Sequence, residues 1–370
     1  MFGLAATGLG VIVFLLVAEV VLRFLPVPSG PDVLEVNDGN PILHFVPNRS
    51  FTYSRGWSMR GVNRGRTNNV GWIADQAYDS TARTPLLAVI GDSFVEALML
   101  PFAETLQGRM AKDVGSSGRV YGFAVSGIPL SQYLIEAQYA GSVFHPEGMA
   151  IVVVGNDFDE SLLSYKVTPG SHSFAEGANG ALTLSRTDFS RGFARKLLRL
   201  SALGRYLIIS LSAQNTLANL RARGAKATAF VGNTSASADP KRLADSKRAV
   251  DAFLTELPGR SRLAPRAIAF VVDAVRPSIY SLEGAIEAAG SYFGLMRNYF
   301  MAEATRRGFE VVDLDPVFAA RFARDHQRFE FPDDGHWNAL GHEAAAQAIE
   351  RSAVFRSVFP SVQEPGEPAR

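Results

Sequence analysis

Five short stretches of this chain are apolar almost without interruption, and they constrain its fold more than any other feature. They occupy residues 86–90, 119–125, 149–154, 267–272 and 309–312. A strand with one face in water alternates apolar and polar side chains, whereas a strand covered on both faces does not. The runs therefore predict a parallel sheet with helices packed on each side. Segments such as 284–307 and 338–352 have the composition and length of those helices. The fold class is α/β.

The composition removes several functions. Lys and Arg number 37 against 36 Asp and Glu, so the net charge is +1 and no field draws in nucleic acid. No dense basic tract compensates for that. Cysteine is absent, which excludes disulfides, thiolate metal sites and a cysteine nucleophile.

The N-terminus differs in kind. Residues 2–18 carry no charged side chain, and apolar character continues to Leu25 with only Glu19 and Arg23 interrupting. At 1.5 Å per residue, some 24 residues reach about 36 Å, enough to cross the ~30 Å hydrocarbon core with some tilt. A transmembrane anchor over residues 1–25 is expected, with a cleaved signal peptide as the competing reading. Pro26, Pro28, Ser29, Gly30 and Pro31 then break the helix. Residues 26–84 read as a membrane-proximal extension with one or two strands, and residues 85–357 as the main domain. Residues 358–370 read as a flexible tail.

Between the third and fourth runs lies an insertion, residues 158–266, far longer than an ordinary crossover. Its basic amphipathic stretch, 191–223, carries Leu197, Leu198, Leu200, Leu203, Leu207 and Leu211 near helical spacing. This is read as a solvated helix with a core stripe, or else as a lid or a membrane-surface contact. A second helix is expected from Pro240 to Leu257.

In open parallel sheets, reactive groups collect just beyond the carboxyl ends of the strands. That edge here reads Asp92-Ser93, then Ser126-Gly127, then Gly155-Asn156-Asp157. A later segment, Asp333-Asp334-Gly335-His336-Trp337-Asn338, adds an imidazole and two carboxylates. A serine hydroxyl needs a neighbouring base to become a nucleophile. The imidazole needs a carboxylate to fix its tautomer, and a tetrahedral oxyanion needs donors already aimed at it. Ser93 fits the nucleophile, His336 the base and Asp333 its orienting partner, with Asp334 as the rival. The Ser93 and Gly127 N–H groups and the Asn156 amide fit an oxyanion hole. Asp157 is expected to support its loop, Asp273 and Arg276 to form a structural pair, and His342 to pack or face solvent. His44, His145, His172 and His326 lack metal-ligand spacing.

These blocks resemble those of the SGNH (GDSL-type) hydrolase superfamily: Gly91-Asp92-Ser93, Gly127, Asn156 within Gly155-x-Asp157, and Asp333-x-x-His336. Glu19-Val20-Val21-Leu22-Arg23 and Asn68-Asn69-Val70-Gly71-Trp72 resemble the corresponding parts of membrane-anchored bacterial members. The resemblance implies a three-layer α/β/α sandwich with a five-stranded, flavodoxin-like parallel sheet, no metal or other cofactor, and ester hydrolysis or O-acyl transfer. It departs at Ala97, where many members carry glycine.

The function expected is a serine esterase acting on an acylated carbohydrate or envelope polymer. An O-acetyltransferase and a catalytically silent carbohydrate-binding protein are the alternatives. Anchor and resemblance together suggest a single-pass inner-membrane protein with its catalytic domain outside the cytoplasm. Arg23 alone casts the opposite vote under the positive-inside rule.

Overall fold

All five apolar runs form strands of one sheet: β3 (Leu86–Gly91), β4 (Arg119–Ala124), β5 (Gly148–Val153), β8 (Ile268–Val272) and β9 (Glu310–Asp313). The computed structural model of the protein describes residues 2–210, 236–332 and 334–362. The five strands are parallel throughout, in the order β4-β3-β5-β8-β9. Numbered along the chain, that is 2-1-3-4-5, the flavodoxin-like order. The chain reverses direction across the sheet between β3 and β5, which makes the carboxyl ends of these two strands the topological switch point.

Side chains alternate along each strand into two separate cores. Leu86, Ala88, Ile90, Phe123, Ile151 and Phe270 face helix α4 (Leu130–Val143) and the helices Pro240–Ser261 and Tyr292–Arg306. Leu87, Val89, Val120, Ala150 and Val271 face α3 (Leu106–Val114) and the helices Leu314–Asp325, Ala339–Glu350 and Ala353–Val358. Both faces are covered, which is why the runs do not alternate in polarity.

The N-terminal helix α1 spans Phe2–Arg23, and its 21-residue apolar span has a mean hydropathy of 2.4, with no residue of the span fully buried. It is long and apolar enough to cross a membrane. The extension that follows forms an antiparallel hairpin, β1 (Ser50–Arg55) with β2 (Arg60–Arg66). It is fastened to the main sheet through Trp72, fully buried and edge-on to Phe123 at 5.3 Å between ring centroids. The Asn68 side-chain carbonyl accepts from the N–H groups of Val70 and Trp72, which fixes this turn. At its centre Gly71 has φ +86°, and a Cβ there would stand 2.1 Å from the Phe45 carbonyl oxygen.

The insertion opens with a hairpin that the sequence did not announce, β6 (His172–Glu176) and β7 (Leu182–Arg186). The expected long basic helix is interrupted at Ser201, which is extended and caps a new turn. It therefore gives α5 (Phe193–Leu200) and α6 (Ala202–Arg205), followed by a wide turn over Tyr206–Ser210. Leu211 and the remainder of that stretch lie outside the described residues. The segment 284–307, read as one helix, is two, because Ser291 caps a second start. A last hairpin, β10 (Glu330–Phe331) and β11 (Asp334–Trp337), precedes the helix Ala339–Glu350.

Candidate active site

The site forms where β3 ends. Asp92 caps the one-turn helix α2 (Ser93–Glu96), its carboxylate accepting from Phe94 N–H at 2.9 Å. That cap places Ser93 at the first position of the turn, on the sheet edge. The turn closes at Ala97, which is left-handed at φ 45°. An alanine there is disfavoured by on the order of 1 kcal/mol relative to glycine, so the departure noted in the sequence falls on a strained residue.

The imidazole arrives on β11. Ser93 Oγ–H donates to His336 Nε2 at 2.7 Å, and His336 Nδ1–H donates to Asp334 Oδ1 at 2.6 Å. With a carboxylate on Nδ1, the neutral ring carries its proton there and leaves Nε2 free to accept. The His336 backbone N–H also donates to Asp334 Oδ1, at 3.1 Å. Asp333, expected in the orienting role, lies outside the described residues, and the carboxylate on the imidazole is Asp334's. The physical reason is the strand. Residues two apart on β11 share a face, so Asp334 and His336 point the same way.

Several groups hold this hairpin in place. The fully buried Arg276 donates to the Gly335 carbonyl, pairs with Asp273 at 3.3 Å and stacks over Phe94 at 5.6 Å. Phe94 in turn packs against the His336 ring at 4.9 Å. Asp273 accepts from Trp337 Nε1 at 2.9 Å, so Asp273 and Arg276 are a structural pair. Asn338 caps the following helix through Leu340 and Gly341 N–H.

Arg55 of β1 supplies a contact that sequence reasoning missed. Its guanidinium lies 2.8 Å from Asp334 Oδ2. Burial alone would raise the Asp334 pKa, but the His336 hydrogen bond, the imidazole charge and Arg55 outweigh it. The carboxyl is held below its usual range. No local motif links Arg55 to a segment so distant in the chain, so the sequence carried no signal for it.

The three expected oxyanion donors stand at neighbouring strand ends: Ser93 after β3, Gly127 after β4 and Asn156 after β5. Gly127 has φ +76°, a conformation that a side chain would strain. Asn156 is buried, with Nδ2 donating to Asp92 Oδ2 at 3.4 Å. Asp157 supports the loop by accepting from Val154 N–H at 2.7 Å and Tyr133 Oη–H at 3.0 Å.

Two further groups brace the donors. Glu96, buried and pushed up to about 8 first by desolvation and then by Asp92, is hydrogen-bonded to Ser126 beside Gly127. Lys166, from the insertion, donates to the Gly127 carbonyl at 3.1 Å and pairs with Glu160. The Glu160 pKa is raised by burial, against the pull of Lys166. Neither residue belongs to a recognisable block, because both sit in the irregular insertion.

The remaining histidines lie elsewhere. His342 is buried, its Nδ1 accepting from Leu106 N–H at 3.2 Å, and desolvation lowers its pKa to about 3. His44 stacks on Trp72, and His172 contacts Gln132. Among the described residues, no group of three or more His, Asp or Glu side chains is arranged to hold a metal ion.

No protein-family model matches the chain, and no curated protein matches it. Among solved structures it is similar to LAE5, an alpha/beta hydrolase enzyme from the metagenome of Lake Arreo, Spain. That match is 12% identical, covers 77% of this chain and 99% of the other, and has a TM-score of 0.39. It is also similar to a member of the lipolytic protein G-D-S-L family from Veillonella parvula, at 8% identity, 73% and 98% coverage and TM-score 0.38. A third is the lipase/acylhydrolase from Enterococcus faecalis, at 10% identity, 77% and 100% coverage and TM-score 0.38.

Proposed function

We propose that this chain is a serine ester hydrolase of the SGNH type, with Ser93 as nucleophile, His336 as general base and Asp334 orienting the imidazole. The observation that carries the reading is the 2.7 Å contact between Ser93 Oγ and His336 Nε2, made across the whole length of the domain. Ser93 Oγ attacks the acyl carbon while its proton passes to Nε2. The Ser93 and Gly127 N–H groups and Asn156 Nδ2 receive the negative charge that develops on the carbonyl oxygen. Collapse of the tetrahedral adduct expels the alcohol, which takes the proton back from His336 and leaves an acyl-Ser93. Water, activated by the same imidazole, then releases the acid.

The test is Ser93→Ala in the full chain, assayed on a short-chain aryl ester. Turnover falls to background while the circular dichroism spectrum is unchanged, and a fluorophosphonate labels the wild type at Ser93 only. An active, unlabelled variant sinks the reading.

The proposal extends to an O-acyl group on an envelope carbohydrate, with α1 holding the catalytic domain on the outer side of the inner membrane. The family resemblance and the anchor-like helix support this extension. Mass spectrometry of the acyl group trapped on Ser93 after incubation with envelope extract tests the substrate. Protease accessibility of the domain in intact spheroplasts tests the side.

A further inference from the structure

Helix α1 is locked to the insertion at its polar end. Glu19 accepts from Ser201 Oγ–H at 2.7 Å and from the N–H groups of Ala202 and Leu203 at 3.1 and 2.9 Å, capping α6. Arg23 donates to the Leu200 carbonyl at the end of α5. Where the anchor leaves its span, α5 and α6 are therefore pinned beside it.

The surface around that exit is apolar and uncovered. Phe24 is 85% exposed, Phe193 80%, Leu200 71% and Trp57, at the tip of the β1–β2 hairpin, 73%. Leu207 and Ile208 are also exposed, and Tyr206 Oη–H joins this turn to the hairpin by donating to the Trp57 carbonyl at 2.9 Å. Phe193, Leu197 and Leu200 recur at i, i+4 and i+7, one face of α5. The opposite side is tied down, Arg199 donating to the Ser29 carbonyl and pairing with Asp32. The apolar face is thus turned away from the domain.

We infer that this collar docks on an anionic phospholipid leaflet, resting in the headgroup layer around the point where α1 enters the bilayer. Continuity with the anchor argues for lipid over another occupant, because a spanning α1 brings this surface to the membrane whatever else the protein binds. Charge argues the same way. The described side chains on the last turns of α1 and on α5 and α6 include Arg23, Arg199 and Arg205 against the one acid, Glu19. An amphipathic basic helix and an exposed tryptophan are what an interface selects.

Tryptophan fluorescence gives a readout independent of any catalytic activity. Of the three tryptophans, Trp72 and Trp337 are buried, so the difference between wild type and Trp57→Phe isolates Trp57. The full chain is reconstituted in phosphatidylcholine–phosphatidylglycerol vesicles carrying nitroxide at the headgroup or at mid-chain. The headgroup nitroxide is expected to remove about half of the Trp57 emission, more than the mid-chain label, with shielding from aqueous acrylamide. The pair Leu197→Glu and Leu200→Glu, both on exposed positions, is expected to reverse that shielding. Trp57 open to acrylamide and untouched by nitroxide overturns the proposal. Shielding from both quenchers also overturns it, since a protein surface would then cover the collar.

Discussion

Asp334 sits 2.6 Å from the Nδ1 of His336, on the same face of one short strand, and no other carboxylate among the described residues bonds this ring. An amide in place of that carboxylate is a weaker acceptor for Nδ1–H and can offer its own N–H to Nδ1, which favours the wrong tautomer. Asp334→Asn is therefore expected to lower kcat by about 10³- to 10⁴-fold with little change in KM. Asp333→Asn is expected to stay within about threefold of wild type. Steady-state kinetics on an aryl ester separates the two, and the reverse ranking returns the orienting role to Asp333.

Arg55 lies on the far side of the same carboxylate, 2.8 Å from Oδ2, and comes from the extension rather than the main domain. Because the guanidinium is partly exposed, its contribution is modest, on the order of 1 kcal/mol or about fivefold. Arg55→Gln is expected to cut kcat by that factor and leave KM unchanged, with Arg55→Lys recovering part of the loss. A change in KM alone would place Arg55 on the substrate instead.

The sheet was legible because burial on both faces writes itself into 86–90, 149–154 and 267–272 as unbroken apolar runs. Ser93 and Asn156 were legible because strand ends in such a sheet are where turns turn polar. His336 was found by its residue type, but its strand was not. The Glu330–Phe331 and Asp334–Trp337 pairing is too short for a period-two pattern to show. Without that strand, Asp333 and Asp334 could not be ranked by geometry. Arg55 and Lys166 were out of reach for a different reason: each meets the site only through tertiary contacts between distant, irregular segments.

Lys166 ties the Gly127 turn to Glu160. Removing the ammonium frees the turn and leaves a half-buried carboxylate unpaired, which is costlier than removing both. Lys166→Met is expected to lower kcat about tenfold with KM nearly constant, and to lower the melting temperature. Adding Glu160→Gln is expected to restore the melting temperature but not kcat. Recovery of both by the double variant would show that Lys166 acts on stability alone.

Glu136 is buried on α4 with only Gln132 Nε2 donating to it, at 2.9 Å, and burial pushes its pKa up to about 8 from 4.5. A raised carboxyl pKa means that the folded state binds the proton more tightly than the unfolded chain. Stability from this group is therefore complete below about 4.5 and is lost as pH rises through about 8. Glu96 and Glu350 have the same sign and nearly the same window. The melting temperature is expected to fall from pH 5 to pH 9, and Glu136→Gln, neutral throughout, is expected to flatten part of that fall. Thermal melts at closely spaced pH values decide it: an unchanged slope in the variant means that Glu136 is ionised in the folded state over this range just as in the unfolded chain, which overturns the raised pKa.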